Sequence, residues 1–273
     1  MTRVAALQMT STPRVDENLQ FLRAYFQKAK EDGAKLIVLP ENFACMGLHE
    51  TDKFAVAEKF GSGIIQDSIS SLARDFHLWV IAGTIPVQTS GKRVRAACLV
   101  FDDKGICAAR YDKIHLFDVR VSDNEAHQES AAIERGDTAI VVDTPIGRVG
   151  LSVCYDLRFP ELYQRLREQG AEVFTVPSAF TAVTGFAHWE TLLCARAIEN
   201  LTYVVAPNQG GTHENGRKTY GHSMVIEPWG KILQELDSTN GLISADIDLQ
   251  GLAQLRKQFP CNEHHVLREL SLN

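Results

Sequence analysis

The sequence predicts a fold of the α/β class on the basis of three observations. Apolar residues at helical spacing and short apolar runs typical of strands alternate along nearly all of the 273 residues. Hydrophobic residues make up 45% of the chain and charged residues 23%, close to the average of globular proteins, so a disordered or fibrous chain is not indicated. Neither a linker nor a low-complexity stretch divides the sequence, although its length allows either one large domain or two smaller ones.

The first half of the chain opens with a helical pattern. Residues 16–29 place Leu19, Leu22 and Phe26 at helical spacing, and Gly33 follows as a stop signal. In chain order, the other predicted elements of this half are a strand over 35–40, a helix over 65–76 and strands over 78–85, 96–102 and 106–110, the last two joined by a turn at 103–105.

The second half begins after a segment that shows neither period, 117–137, which we expect to be a long loop. Long loops without structure are uncommon in compact domains and are often functional, so we favour a functional role for it. Beyond it, a helix begins at Pro160, where a missing N–H costs no hydrogen bond. In chain order, the predicted elements are strands over 139–144 and 148–153, a helix over 160–169, a strand over 172–176, a helix over 188–200, strands over 202–206, 223–227, 231–236 and 242–247, and a helix over 249–259.

Charge and hydropathy argue against two classes of partner. The chain carries 28 Lys and Arg against 34 Asp and Glu, a formal charge of −6, and like charges form no block, so we expect no nucleic-acid partner. No apolar run approaches the ~20 residues that cross a bilayer, so we expect no membrane partner. The apolar stretch after Arg3 is too short for a secretory signal, which predicts a cytoplasmic protein.

Six cysteines are spread along the chain without a Cys-x-x-Cys pair, which argues against a disulfide framework and against a zinc site. In a reducing compartment most of them are expected to be free thiols. His264 and His265 are adjacent near the C-terminus, but no second cluster accompanies them, so we expect no metal. The cysteines are Cys45, Cys98, Cys107, Cys154, Cys194 and Cys261.

Three chemically active side chains follow predicted strands directly: Glu41, Lys113 and Cys154. In α/β folds ligands bind outside the carboxyl ends of strands, so the three could converge on one pocket. Each has an ordinary alternative: a carboxylate at a helix start, a solvated lysine and a small buried thiol. Together they supply a base, a cation for an oxyanion and a nucleophile, which are the parts that acyl transfer requires.

Three motifs surround these residues: PEN around Glu41, YDKIHL around Lys113 and CYDLRFPEL around Cys154. Their order and approximate spacing resemble those of the nitrilase, or carbon–nitrogen hydrolase, superfamily. The resemblance runs from the first strand to about residue 260 and is strong, because all three motifs occur together.

The resemblance implies a four-layer αββα sandwich built as one domain over 1–273, with a core over about 1–260 and a tail over 261–273. It also implies a homodimer, often formed through helices that include the segment 188–200. The tail departs from the family, because CNEHHVLREL replaces the expected arginine-rich sequence. This difference puts any dimer or substrate contact made by the tail in question.

The resemblance also implies a role for each residue. Cys154 attacks an amide carbonyl while Glu41 accepts its proton, and water then hydrolyses the thioester. Lys113 and the backbone N–H of Tyr155 stabilise the oxyanion. The family's second glutamate, Glu129 in HQES, orients Lys113 and helps to keep it charged. No metal or organic cofactor is required.

Two longer stretches, PSAFTAVTGFAHWETLLCARAIEN and YGHSMVIEPWG, resemble the deaminated glutathione amidase branch of the family. That branch converts deaminated glutathione into 2-oxoglutarate and cysteinylglycine, so the implied partner is a small-molecule amide. Arg158, four residues after Cys154, is positioned to bind the keto-acid carboxylate bidentately. Phe180 and Thr184 would line the acyl pocket.

Several alternatives stay open. Arg158 could instead form a buried ion pair with Asp156 or Glu161. His115 could pair with Cys154 as in papain-like proteases, although no papain signature is present. The substrate could be 2-oxoglutaramate, as for an ω-amidase, although RFPEL differs from the RFAEL associated with ω-amidases. A catalytically silent binding or scaffold protein is the remaining class, and the complete set of four candidate catalytic residues argues against it.

Overall fold

The computed structural model describes residues 1–122, 125–264 and 266. In chain order its strands and α-helices are β1 (Thr2–Gln8), α1 (Val15–Glu31), β2 (Leu36–Leu39), α2 (Ile64–Phe76), β3 (Trp79–Gln88), β4 (Val94–Phe101), β5 (Cys107–Asp112), β6 (Asp118–Ser122), β7 (Glu125–Gln128), β8 (Val141–Thr144), β9 (Gly147–Leu151), α3 (Pro160–Glu168), β10 (Val173–Thr175), α4 (Ala182–Asn200), β11 (Tyr203–Ala206), β12 (Gly210–Thr212), β13 (Lys218–Tyr220), β14 (Met224–Ile226), β15 (Ile232–Glu235), β16 (Gly241–Ile247) and α5 (Leu249–Gln258).

Most strands belong to two six-stranded sheets. The first has the order β16-β1-β2-β3-β4-β5 and the second the order β15-β14-β11-β10-β9-β8. In the first sheet β2 runs parallel to β1 and β3, and in the second sheet β9, β10 and β11 run parallel to one another. Because β4 is antiparallel to both β3 and β5, the strand β5 has the same direction as β3.

The period of two along β1 shows how the layers stack, because alternate side chains of a strand face opposite sides of the sheet. Val4 and Ala6 pack in one core cluster with Leu151 of the second sheet and with buried residues of α3 and α4. Ala5 and Leu7 pack in another cluster with buried residues of α1 and α2. The first sheet therefore lies between α1 and α2 on one face and the second sheet on the other, and α3 and α4 cover the second sheet. The predicted four-layer αββα sandwich is confirmed.

The segment 117–137 differs from the prediction. The strands β6 and β7 pair antiparallel as a separate two-stranded sheet, and a 3-10 turn follows at Glu129–Ala131. The expectation of a long loop is therefore wrong. Both strands are short and rich in charged and polar residues, so neither a helical nor a strand period stands out in the sequence.

The helix α4 begins at Ala182 rather than at the predicted residue 188. Thr181 caps it, since its Oγ1 accepts a hydrogen bond from the backbone N–H of Thr184 at 3.3 Å. The first turn contains Gly185 and β-branched residues, which favour helices weakly and so conceal the helix start in the sequence. The hairpin of β12 and β13 was also not predicted, because each strand has only three residues. No α-helix among the described residues has both the length and the apolar character to cross a membrane.

Candidate active site

Cys154 lies just beyond the carboxyl end of β9, as the first residue of a 3-10 turn that runs to Arg158. Its φ angle of 49° is in the left-handed region, which is uncommon for a residue other than glycine. The backbone N–H of Cys154 donates to Pro177 O at 2.9 Å, which fixes the turn against the segment after β10. The side chain is buried, and burial raises the pKa of the Cys154 thiol. Glu41 raises this pKa further, whereas Lys113 opposes the two effects.

Lys113 follows β5 and is buried between two carboxylates. Its Nζ lies 2.7 Å from Glu41 Oε1 and 3.0 and 2.9 Å from the two carboxylate oxygens of Glu129. Burial alone would lower the pKa of Lys113, but Glu129 and Glu41 hold it well above its ordinary value, with a further contribution from Cys154. The residue is therefore a buried, permanently charged cation beside the thiol.

Glu41 follows β2, and backbone packing holds its turn in place. Gly83 of β3 lies so close to Pro40 that a Cβ at position 83 would come within 1.9 Å of the Pro40 carbonyl oxygen. Gln209, which follows β11 in the other sheet, donates from Nε2 to Glu41 O at 2.9 Å and to Ser11 Oγ at 2.7 Å. The carboxylate of Glu41 thus sits on a backbone that both sheets restrain.

Glu129 comes from the 3-10 turn after β7 and is buried with Lys113. Its Oε2 also accepts a hydrogen bond from the backbone N–H of Phe117 at 2.7 Å. Burial alone would raise the pKa of Glu129, but Lys113 and then Lys53 lower it overall. Glu129 is therefore charged near neutral pH and accepts hydrogen bonds from the Lys113 ammonium.

Asp156, two residues after Cys154, is a fully buried carboxylate that accepts several hydrogen bonds. Its Oδ2 lies 2.6 Å from the Tyr111 hydroxyl, which donates, and 2.9 Å from the backbone N–H of Val153. Its Oδ1 accepts from the backbone N–H of His115 at 3.0 Å and lies 2.7 Å from His115 Nδ1. Asp156 thus ties the Cys154 turn to the loop that carries Lys113.

A narrow compartment of about 10 Å³ adjoins Cys154 and is lined by all four predicted substrate-binding residues. Arg158 is partly exposed, with its guanidinium 5.7 Å from the Tyr155 ring centre and 5.5 Å from that of Phe180. Arg158 forms no ion pair within the described part of the chain, so the alternative pairing with Asp156 or Glu161 is wrong. The lining residues are Phe117, Cys154, Tyr155, Arg158, Ala179, Phe180, Thr181, Thr184 and Arg217.

The contacts of His115 bear on the alternative that this histidine pairs with the Cys154 thiol. His115 points its Nδ1 at Asp156 and stacks on Phe159, with ring centres 3.7 Å apart, so it serves the turn rather than acting as a base for Cys154. His188 lies 3.3 Å from Arg158 through its Nδ1. In residues 1–122, 125–264 and 266 no group of three or more His, Cys, Asp or Glu side chains could hold a metal ion, while the predicted neighbour His265 lies outside the described residues.

Comparison with known proteins gives this arrangement a family. The family model described as carbon–nitrogen hydrolase matches residues 3–257. The chain belongs to the carbon–nitrogen hydrolase family. A curated deaminated glutathione amidase from Synechocystis sp. is 43% identical to it over 266 residues, which cover 96% of this chain and 97% of that relative.

Two solved structures resemble this carbon–nitrogen hydrolase over nearly its whole length. The Caenorhabditis elegans NitFhit protein has a TM-score of 0.87 and 37% sequence identity, and the match covers 97% of this chain but only 65% of the NitFhit chain. Saccharomyces cerevisiae Nit3, a member of branch 10 of the nitrilase superfamily, has a TM-score of 0.85 and 28% identity, with 100% of this chain and 97% of that chain covered. The superfamily resemblance read from the three motifs is confirmed.

The sequence analysis assigned no role in this carbon–nitrogen hydrolase site to Asp156, Gln209 or Arg217. Gln209 carried a usable signal, because it follows a buried strand just as Glu41 does. Asp156 was considered only as a partner of Arg158, since its hydrogen-bond partners are distant in sequence. Arg217 lies in the turn between β12 and β13 and follows no predicted strand, so only the fold brings it to the compartment beside Cys154.

Proposed function

We propose that the protein is an amidase that cleaves a carbon–nitrogen bond through a thioester on Cys154. The observation that carries the proposal is the buried contact of Lys113 Nζ with Glu41 and Glu129 next to the thiol. A nucleophile, a carboxylate base and a fixed cation are the groups that acyl transfer needs, and few other reactions need all three in one place.

The thiol attacks as its proton leaves. Because burial raises the pKa of Cys154, the resting side chain is a neutral thiol, so Glu41 accepts the proton while Sγ bonds to the amide carbon. Lys113 Nζ donates to Glu41 Oε1, so Glu41 Oε2 remains available to accept the thiol proton. Glu41 then protonates the leaving nitrogen, and afterwards it activates the water that hydrolyses the thioester.

Negative charge on the carbonyl oxygen is stabilised by Lys113 and by the backbone N–H of Tyr155. Tyr155 is the second residue of the 3-10 turn, where backbone N–H groups lack partners within the turn. Each such donor contributes about 3–4 kcal/mol to transition-state stabilisation. Asp156 supports the relative position of these two groups, because its carboxylate contacts both the Cys154 turn and the loop that carries Lys113.

The proposed substrate is deaminated glutathione, which is cleaved to 2-oxoglutarate and cysteinylglycine. The name of the Synechocystis relative supports this substrate, and the partly exposed guanidinium of Arg158 beside Cys154 offers a bidentate site for the keto-acid carboxylate. Phe117, Tyr155 and Phe180 line the narrow compartment, so the acyl group would bind against aromatic side chains.

Two measurements test this function. Intact-protein mass spectrometry after mixing with substrate should show a 2-oxoglutaryl adduct on Cys154. Steady-state kinetics should give a higher kcat/KM for deaminated glutathione than for 2-oxoglutaramate, and intact glutathione should be poor because its α-ammonium would lie near Arg158. A preference for 2-oxoglutaramate would indicate an ω-amidase, and activity on none of the three would leave only the family.

The homodimer and the cytoplasmic location stay predictions. Exposed apolar side chains on α4, namely Val183, Phe186 and Ile198, support a dimer interface on that helix. Light scattering of the purified protein should give twice the mass of one chain, and Phe186→Asp should shift it toward the monomer.

A further inference from the structure

A second, larger cavity shares a lining residue with the compartment beside Cys154. This outer cleft has a volume of about 610 Å³, which is in the range of ligand-binding pockets, and Arg217 lines both spaces. Arg158 lines only the narrow compartment. Arg158 therefore belongs to the inner space around the thiol, and Arg217 lies between that space and the outer cleft.

Arg217 is an unsatisfied cation at this junction. Its Nη2 donates to Ala179 O at 2.5 Å, which fixes the guanidinium to the wall of the compartment. Its Nε is buried and has no hydrogen-bond partner among the described residues. The same part of the chain offers Arg217 no ion pair. A partly exposed guanidinium that is fixed by one backbone carbonyl and pairs with no carboxylate keeps donors available for an anion.

The positive charge of the side chains that line the outer cleft agrees with an anionic ligand. Among the described residues its lining carries three cationic side chains, Lys53, Arg217 and Lys218, and one carboxylate, that of Glu50, which pairs with Lys53. The chain as a whole has a formal charge of −6, so the positive lining is a local feature. A locally positive cleft in an acidic protein attracts and orients an anion.

We propose that Arg217 binds the terminal carboxylate of the amine that leaves, so that the site takes a linear amide with a carboxylate on each side of the scissile bond. This inference rests on the proposed function and adds the leaving-group site to it. Arg158 faces only the inner compartment and takes the carboxylate of the acyl part. Arg217 borders the outer cleft, where a peptide-sized leaving group has room, and a guanidinium matches a carboxylate bidentately.

This division explains how the enzyme distinguishes a peptide from ammonia as the leaving group. A substrate that releases ammonia has no second carboxylate and leaves Arg217 without a partner. A substrate that releases cysteinylglycine fills the outer cleft and pairs with Arg217. The selectivity over the smaller amide then comes from binding outside the reacting bond rather than from the chemistry at Cys154.

The test compares deaminated glutathione with the same molecule ending in a carboxamide, using kcat/KM on the wild type, Arg217→Gln and the control Arg165→Gln. Arg165 is an exposed arginine of α3 outside both spaces, so its variant removes the same charge elsewhere. In the wild type the carboxamide should lower kcat/KM roughly ten- to hundredfold, mainly through KM. Arg217→Gln should abolish this preference by lowering kcat/KM for the carboxylate peptide to that for the carboxamide, while Arg165→Gln should keep it.

Each outcome decides between the two proposals. A wild type inactive on both peptides refutes the proposed function. A wild type that hydrolyses both but shows no preference, or an Arg217→Gln variant that keeps the preference or loses activity equally on all substrates, refutes the role of Arg217 alone. Arg217→Lys keeps the charge without the bidentate geometry and should retain part of the preference, which keeps the test valid if Arg217→Gln does not fold.

Discussion

The two sets of charged groups around Cys154 differ in whether other side chains of the protein pair with their charges. The proposed catalytic cluster of Glu41, Lys113 and Glu129 is buried, and its charges pair with one another at 2.7–3.0 Å. The proposed recognition arginines, Arg158 and Arg217, are partly exposed and form no ion pair with the described carboxylates, although the charge of Arg217 interacts with that of Glu50. The catalytic cluster is therefore complete without substrate, whereas the recognition arginines are complete only with it.

This difference follows from the cost of burying charge. An ion removed from water needs a partner in a fixed position, or it changes its protonation state. A group that acts on every substrate can be paired permanently within the protein. A group that selects the substrate has to leave its donors available, and partial exposure makes this tolerable in the free enzyme. The variants below test whether the two sets behave as differently as their contacts indicate.

The largest effect is expected at the nucleophile. Cys154→Ala should lower kcat by about 10⁴-fold or more, because no thioester can form. Unfolding free energy should change by less than about 1 kcal/mol, since the alanine keeps the Cβ and the pocket lies beside the side chain. Activity assays and urea unfolding would measure both.

Cys98 provides the matched control for that variant. It is also a buried cysteine whose pKa burial raises, but it lies within β4 opposite Tyr111 and does not line the compartment beside Cys154. Cys98→Ala should retain kcat and lose about 1 kcal/mol of stability through the small void that it leaves. Substantial turnover by Cys154→Ala, or loss of turnover in Cys98→Ala, would contradict the assignment of the nucleophile.

Lys113→Met tests the internal pairing of the catalytic cluster. The variant should lower kcat by about 10²- to 10³-fold with little change in KM, because the cation acts on the oxyanion. It should also lower the unfolding free energy by about 3–5 kcal/mol, since Glu41 and Glu129 are left buried without their counter-ion.

The double variant Lys113→Met/Glu129→Gln separates the two effects. Removing one of the stranded carboxylates should recover part of the lost stability but none of the lost kcat. Additive losses of stability in the double variant would mean that the three charges do not form one coupled cluster.

Asp156→Asn tests the contact that holds the Cys154 turn to the Lys113 loop. The new amide nitrogen is a donor and would face the Tyr111 hydroxyl or a backbone N–H, so at least one buried group loses its partner. The expected loss is about 2–3 kcal/mol of unfolding free energy, with a lower kcat. Asp143→Asn, at a carboxylate that is 88% exposed, is the control and should change neither. Unchanged stability in Asp156→Asn would mean that its network does not support the turn.

The same contrast explains how far the sequence could predict this molecule. Glu41 and Cys154 follow buried strands and Lys113 follows the partly exposed strand β5, so the rule that sites form at the carboxyl ends of strands indicated all three, and the family motifs then ordered them. Most helices, and most strands of the two large sheets, were likewise predicted, because burial on both faces leaves a short apolar run and burial on one face leaves a clear period. The roles of these residues stay proposals, since contacts show where a side chain lies and not what it does.

What the sequence could not show depends on contacts between distant segments. Arg217 reaches the compartment only because the turn after β12 packs against the segment after β10, and no local pattern reports that packing. Glu129 was placed by its motif alone, since its polar, weakly periodic surroundings concealed the hairpin that carries it. Residues that recognise a variable ligand follow no fixed spacing, which is why they were the hardest to predict.

The smallest expected effect concerns His213, which supports the turn that carries Arg217. Its Nδ1 donates to Ser11 O at 2.9 Å, so its Nε2 accepts from Thr219 Oγ1, and its backbone N–H donates to Arg217 O at 2.9 Å. Burial lowers the pKa of His213, so the unfolded chain binds its proton first as pH falls. The contribution of His213 to the unfolding free energy is therefore fully present above the pKa of an unfolded histidine, about 6.5. Below that pH it declines, by at most about 1.4 kcal/mol per pH unit. The pKa of Glu129 is lowered, so the catalytic cluster loses its contribution to stability only below the ordinary range of a glutamate, about 4.3.

Urea unfolding between pH 7 and 5 measures how steeply the unfolding free energy falls with pH. This dependence should be weaker for His213→Asn than for the wild type, while His77→Asn, at an exposed left-handed position, should keep the wild-type dependence. Equal slopes in all three proteins would show that His213 does not titrate on unfolding.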